Sequence, residues 1–402
     1  MRTRVVNFAL AAASIIAALG ATEFLLRALG PSPRAYFVLP PSTNWVGVPS
    51  PDVLPGVHGE SHFRINRFGV RGRPFGDDSA EYRILAIGGS TTLCSALDDA
   101  ETWTHLLEAD LGQTVDGRRV WVGNVGRDGA STRDNVLHIK YLLRQYPRVD
   151  VVVSLVGVND LGSALHQGWE YHLPTPITDS SAERERLPRA FAQLPGRLQD
   201  PPSAPQGVGP TPWYKATALW QLGRRARAVL RSSRSRTTDN VGGQKQLREA
   251  RAVRQAAREW VDSLPPLEEP LIEYRRNLNA MADFAARAGA RLVFVTQPSA
   301  WRRGMPDAQE RLLWTGWIGQ QPATASGYFT SAALARAMVR FNETLLEVCS
   351  QRRLECVDLA RVLPKDTTAI YDDVHFTEQG SRLVAQALVE HFRARPPFRR
   401  PT

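Results

Sequence analysis

An α/β fold, a three-layer αβα sandwich around a five-stranded parallel sheet, is predicted by three features of the sequence. Short runs rich in β-branched residues alternate with amphipathic helical patterns, which is the signature of parallel strands joined by crossover helices. The runs are almost continuously apolar instead of alternating, as expected of strands covered on both faces. Each run also ends in glycines and polar residues, where an open parallel sheet places its ligands.

Five runs are candidate strands: "RILAIG" (83–88), "RVWVGNVG" (119–126), "DVVVSLVG" (150–157), "ARLVFVTQ" (290–297) and "LECVDL" (354–359). Helical patterns fall at 101–112, 131–146, 268–288, 331–350 and 377–394. Together they define a domain over 82–396, interrupted at 165–265 by an insertion too long for one crossover. The insertion carries a Pro-rich stretch, "LPGRLQDPPSAPQGVGPTPW", then two basic runs, "RRARAVLRSSRSR" and "REARAVRQAAREW", joined by "TTDNVGG". We read the basic runs as two short helices. Such charge runs are usually a solvated face; the competing reading is a lid or a contact for an anionic surface.

Ahead of the domain, residues 31–81 are rich in Pro and Gly without periodicity and read as an irregular arm. Residues 5–26, "VVNFALAAASIIAALGATEFLL", follow Arg2 and Arg4 and are apolar apart from Asn7, Ser14, Thr22 and Glu23. At 1.5 Å per residue the run matches a bilayer core of roughly 30 Å. The expectation is an N-terminal transmembrane helix over 1–30, with the N-terminus inside and the domain outside the cytoplasmic membrane. A cleaved signal peptide ending near Ala18-Leu19-Gly20 is the alternative, leaving a secreted protein.

The chain has 402 residues, 43% hydrophobic and 22% charged, which is a globular composition, and a formal net charge of +10 that favours anionic partners without choosing among them. The cysteines, Cys94, Cys349 and Cys356, form neither a disulfide framework nor a metal cluster. Cys349 and Cys356 are either bonded or two buried thiols; their spacing does not decide.

The chemistry gathers at the strand ends. Gly88-Gly89-Ser90 ends the first run, Asn124 to Gly129 the second, and Gly157-Val158-Asn159-Asp160 the third. Tyr371-Asp372-Asp373-Val374-His375 lies beyond the fifth. An Asp three residues before a His can reach back to Nδ1, leaving Nε2 to accept a serine proton. That spacing favours Asp372 over Asp373 as the partner of His375. Gly129 exposes a backbone N–H, Asn159 offers an amide, and Ser90 has its own N–H, making three donors for an oxyanion. Nucleophile, base, orienting carboxylate and oxyanion donors are therefore all present. Trp103, Trp121 and Cys94 read as core, and Gln297 as a polar residue ending its strand.

This set resembles the SGNH (GDSL-type) hydrolase superfamily, through "IGGSTT", "NVGRDGAS", "VGVND" and "DDVHFTEQG" in that order. Gly89 stands where the family has Asp. The resemblance implies a flavodoxin-like SGNH fold, Ser90 as nucleophile, His375 as base with Asp372, and an oxyanion hole of Ser90, Gly129 and Asn159. "INRFGVRG" (65–72) is similar to membrane-anchored bacterial members. A serine esterase acting on O-acyl esters is implied, with O-acetyl groups of envelope or secreted glycans, or lipid esters, as substrates.

Other chemistries lack their motifs. No GxxxxGK[ST] is present, GxSxG fails at Thr92, the glycines of 123–129 do not space as a dinucleotide fingerprint, and no zinc-ligand spacing occurs. No cofactor or metal is expected, and no nucleic-acid partner, since the arginines lack interleaved aromatics on a recognisable module. Two alternatives stay open: an O-acyltransferase using the same residues, and a catalytically silent, membrane-tethered binding protein.

Overall fold

The structure, a computed structural model, describes residues 2–29, 35–76, 80–195, 214, 217–220, 223, 236–319 and 321–399. Its centre is a five-stranded parallel sheet of β1 (Glu81–Gly88), β2 (Arg119–Asn124), β3 (Val151–Leu155), β4 (Arg291–Val295) and β5 (Glu355–Val357), in the order 5-4-3-1-2. Chain order reverses beside β1, so the carboxyl ends of β1 and β3 flank the crevice where such sheets bind ligands.

All eight residues of β1 and all five of β3 are buried. Alternate side chains feed two separate cores, one on each face, as a period of two requires. Leu85, Ile87, Val152 and Phe294 face helices α2 (Thr132–Gln145), α5 (Glu268–Arg287) and α6 (Ser331–Arg352). Ile84, Ala86, Val153 and Val293 face α1 (Trp103–Leu111) and α7 (Glu378–Arg393). Trp103 and Trp121 are core residues, each 1% exposed.

The helices start where their sequences provide caps. The side chains of Thr102, Thr330 and Thr377 accept from backbone N–H groups in the first turns of α1, α6 and α7, and Ser131 forms a capping box with Asp134 on α2. A further helix, α3 (Val158–Gln167), begins at Gly157, whose φ of 129° permits an abrupt turn out of β3. Cys349, on α6, is disulfide-bonded to Cys356 on β5, with Cα atoms 6.3 Å apart.

Outside the main sheet, Asn44–Gly47 pairs antiparallel with Ser61–Arg64 and parallel with Arg236–Thr238 from the insertion. The second basic run forms helix α4 (Gln244–Gln255); the first, with most of the Pro-rich stretch, lies outside the described residues. Charge here does not mean solvation throughout, because Arg251 and Arg254 of α4 are 6% and 2% exposed.

The expectation of a membrane-spanning segment is corrected. Residues Arg2–Leu29 are helical, yet among the described residues no helix is long and apolar enough to cross a membrane. The run is alanine-rich, with polar groups along it. Ser14 and Thr22 return their hydroxyls to the carbonyls of Leu10 and Ala18, and Glu23 accepts from the backbone N–H groups of Ala218 and Leu219 at 2.7 and 3.0 Å. The carboxylate is thus engaged by the protein's own chain. The single-pass topology and the membrane contact expected with it are withdrawn.

Candidate active site

Ser90 opens a one-turn helix, Ser90–Leu93, directly after β1. The turn closes through Cys94, which has φ 53° and donates its N–H to the Ser90 carbonyl at 2.8 Å. Such an abrupt reversal lifts a side chain off the end of the sheet. It is held from beneath by Arg71, whose buried guanidinium donates to the carbonyls of Leu93, Cys94 and Leu97 at 2.6, 2.8 and 2.7 Å. Cys94 is packed into the core, and burial pushes its thiol up to about 12.

His375 reaches Ser90 across the end of the sheet, with Nε2 2.7 Å from the serine Oγ and Nδ1 2.7 Å from Asp372 Oδ2. The other carboxylate oxygen of Asp372 accepts from the backbone N–H groups of Val374 and His375, both at 2.9 Å. A fourth donor comes from outside this loop: Trp314 Nε1 lies 3.1 Å from Asp372 Oδ2. Burial opposes ionisation of Asp372, but the charge and hydrogen bonds of His375 outweigh it and hold the carboxyl below its ordinary value. Burial likewise opposes the imidazolium, and Asp372 outweighs it, holding His375 above its ordinary 6.5.

Asp373 has different work. Its carboxylate accepts from Trp301 Nε1 at 2.8 Å, from the Trp314 N–H at 2.8 Å and from the Thr315 hydroxyl at 2.6 Å. Asp373 therefore fastens the 301–315 loop, which presents Trp314 to Asp372. Arg254 fastens the same loop from α4, donating to the Thr315 carbonyl at 2.9 Å. Arg251, one turn earlier, donates to the carbonyls of Val53, Leu312 and Tyr371 at 2.6, 2.7 and 3.3 Å.

Ser90, Gly129, Asn159 and His375 line one cavity of about 680 Å³, with Asp372 behind the histidine at 1% exposure. Gly129 has φ +70°, a conformation suited to glycine, and no atom lies within 4 Å of where its Cβ would be. Asn159 sits in the first turn of α3 and spends one amide N–H on the Ala130 carbonyl at 2.9 Å. Next to it, Asp160 accepts from the Thr132 N–H and hydroxyl at 3.1 and 2.5 Å, and burial pushes its carboxyl up to about 7. These bonds lock α3 to the 129–132 turn. Gly89 belongs to the same fit, since a Cβ there would lie 2.4 Å from Asn159 Nδ2.

All five residues singled out from the sequence therefore converge. Gln297 is 1% exposed and accepts from the Thr91 hydroxyl at 3.2 Å, so it packs behind the site. Sequence reasoning missed Trp314 and Arg71. Arg71 lies inside "INRFGVRG", a visible motif, but nothing in its spacing ties it to Ser90. Trp314 lies in an aperiodic loop and carries no such signal. Sequence reasoning placed a lid second to a solvated face for the basic insertion; in the structure α4 lines the cavity through Leu247, Ala250 and Val253, together with Leu161, Leu165 and Leu334 from other elements.

The profile of the GDSL-like lipase/acylhydrolase family matches residues 86–383. No curated protein matches the chain. Solved structures that resemble it include a member of the lipolytic protein G-D-S-L family from Veillonella parvula DSM 2008, at 12% identity and a TM-score of 0.38 over 77% of this chain and 98% of that one. The acetylxylan esterase Axe2 from Geobacillus stearothermophilus shows 13% identity and a TM-score of 0.38 over 77% and 93%. For the lipase/acylhydrolase from Enterococcus faecalis the values are 15% and 0.38 over 78% and 98%. The family match spans well over half of the 402 residues and contains both Ser90 and His375. The chain belongs to the GDSL-like lipase/acylhydrolase family and is a hydrolase acting on ester bonds.

Proposed function

We propose that the protein is a serine esterase in which Ser90 is the nucleophile, His375 the general base and Asp372 its orienting partner. The observation that carries this reading is the continuous hydrogen-bonded chain from Ser90 Oγ through both ring nitrogens to Asp372, 2.7 Å at each step. With Nδ1–H donated to Asp372, Nε2 is free to take the serine proton as Oγ attacks the ester carbonyl carbon. The oxyanion that forms is stabilised by the N–H groups of Ser90 and Gly129 and by the second amide N–H of Asn159. Collapse breaks the carbonyl–alkoxy bond, and the alcohol leaves with the proton from Nε2. Water, deprotonated in turn by His375, then releases the acid from the acyl-serine.

Within O-acyl esters, O-acetyl groups of glycans are a substrate by family analogy alone. The cavity supports a longer acyl group. Its wall of leucines, valines and tryptophans is far larger than an acetyl group and would hold water against apolar surface if only acetyl entered. A hydroxyl acceptor in place of water would make the same residues an acyltransferase. An intact Ser90–His375–Asp372 set argues against a silent binding protein.

Release of p-nitrophenol from the acetate and octanoate esters tests this reading. Ser90→Ala should lower the rate by at least about a thousandfold on both esters, with the octanoate favoured by the wild type. Equal rates for wild type and variant would overturn it.

A further inference from the structure

A second cavity, about 320 Å³, adjoins the Ser90 cavity and shares Ser95, Asp128, Gly242 and Gly243 with it. The rest of its lining is Trp45, Thr238 and Asn240. The two strands that supply Trp45 and Thr238, Asn44–Gly47 and Arg236–Thr238, come from the N-terminal arm and the insertion and pair in register. The compartment is thus built by the parts of the chain that lie outside the five-stranded sheet.

Trp45 is held as a rigid plate. Its ring stacks on Phe63 at 4.8 Å and 6°, and the Arg71 guanidinium lies 4.6 Å from the centre of the Phe63 ring. The same Arg71 holds the turn that follows Ser90, so plate and serine share one support.

The lining selects a chemistry. One indole, two hydroxyls, an amide, a carboxylate and two glycines can meet a ring with an apolar C–H face and several hydroxyl groups. A hydrocarbon chain would set the Ser95 hydroxyl and the Asp128 carboxyl against apolar surface, whereas Thr238 and Asn240 are already bonded within the insertion, Thr238 accepting from the Asn240 N–H and Asn240 bonding Gln246 and the Lys245 N–H. An anionic headgroup would face Asp128, and among the described residues no lysine or arginine lines the compartment. The larger cavity, by contrast, is apolar. We propose that the small compartment binds the alcohol half of the substrate ester, an uncharged carbohydrate stacked on Trp45, while the acyl half occupies the larger cavity. This rests on the esterase reading above.

The test compares 6-O-octanoylglucose with ethyl octanoate, which share an acyl group and differ only in the alcohol. Wild type should favour the glucose ester. Trp45→Ala should raise its KM about tenfold, and the loss on it should exceed the loss on ethyl octanoate several-fold. Trp45→Phe, which keeps an aromatic face, should recover most of it, and Thr238→Val should weaken the glucose ester selectively without touching the stack. Equal losses on both esters, or no preference between them in the wild type, would overturn the proposal. Failure of the esterase reading would look different: Ser90→Ala would then match wild type on both.

Discussion

At Asp372, four donors converge on one buried carboxylate: two backbone N–H groups, the His375 ring and the Trp314 indole. The indole shares Oδ2 with the imidazole, so it draws charge from the oxygen that raises the histidine's proton affinity. In the proposed mechanism His375 is a base only when neutral, and it is held above 6.5, so the acid limb of kcat/KM should lie above pH 6.5. Trp314→Phe removes one donor and strengthens the pull of Asp372 on the imidazolium. The limb should then move to higher pH, with kcat lowered roughly tenfold by loss of a charged hydrogen bond. A pH–rate profile checks this, and a lower kcat with an unmoved limb would make Trp314 a packing residue only. Ser90, Gly129, Asn159, Asp372 and His375 were legible because each ends a strand or sits at short, chemically meaningful spacing. Trp314 was not, because 58 residues of chain separate it from its partner and only the tertiary fold joins them.

Among the elements, strands and long helices were legible to within a few residues, since burial on both faces of β1 and β3 leaves an unbroken apolar run. The short α3 was hidden by its start at a positive-φ glycine. Helix α4 misled for another reason. Its arginines look like a solvated stripe, but Arg251 and Arg254 turn inward and satisfy backbone carbonyls of the loops that carry Tyr371 and Thr315. The outcome is a cavity wall, and it should determine chain length. Val253 is 37% exposed and lines the cavity, so Val253→Trp would fill space there with little disturbance to the core. The octanoate-to-acetate ratio of kcat/KM should fall about tenfold. Steady-state kinetics on the two p-nitrophenyl esters decide it, and an unchanged ratio would place the acyl chain elsewhere.

For the whole molecule, the αβα architecture follows from alternation of strand and helix alone, and strand order then brings the β1 and β3 ends together. What alternation cannot convey is how the arm and insertion return to the sheet. Residues 35–76 looked irregular because their order is tertiary: Arg71 pairs with Asp99 and reaches three carbonyls around the Ser90 turn. Apolar character alone also overstated the N-terminal run, whose Glu23 is bonded to the backbone at Ala218 and Leu219. One serine, activated by one histidine, is proposed to form the covalent intermediate. Its most direct measurement is peptide mapping by mass spectrometry after reaction with p-nitrophenyl octylphosphonate, an ester mimic that stops at the tetrahedral adduct. One adduct is expected, on Ser90, absent from Ser90→Ala and formed far more slowly by His375→Ala. An adduct on another residue, or equal labelling of the His375→Ala variant, would contradict it.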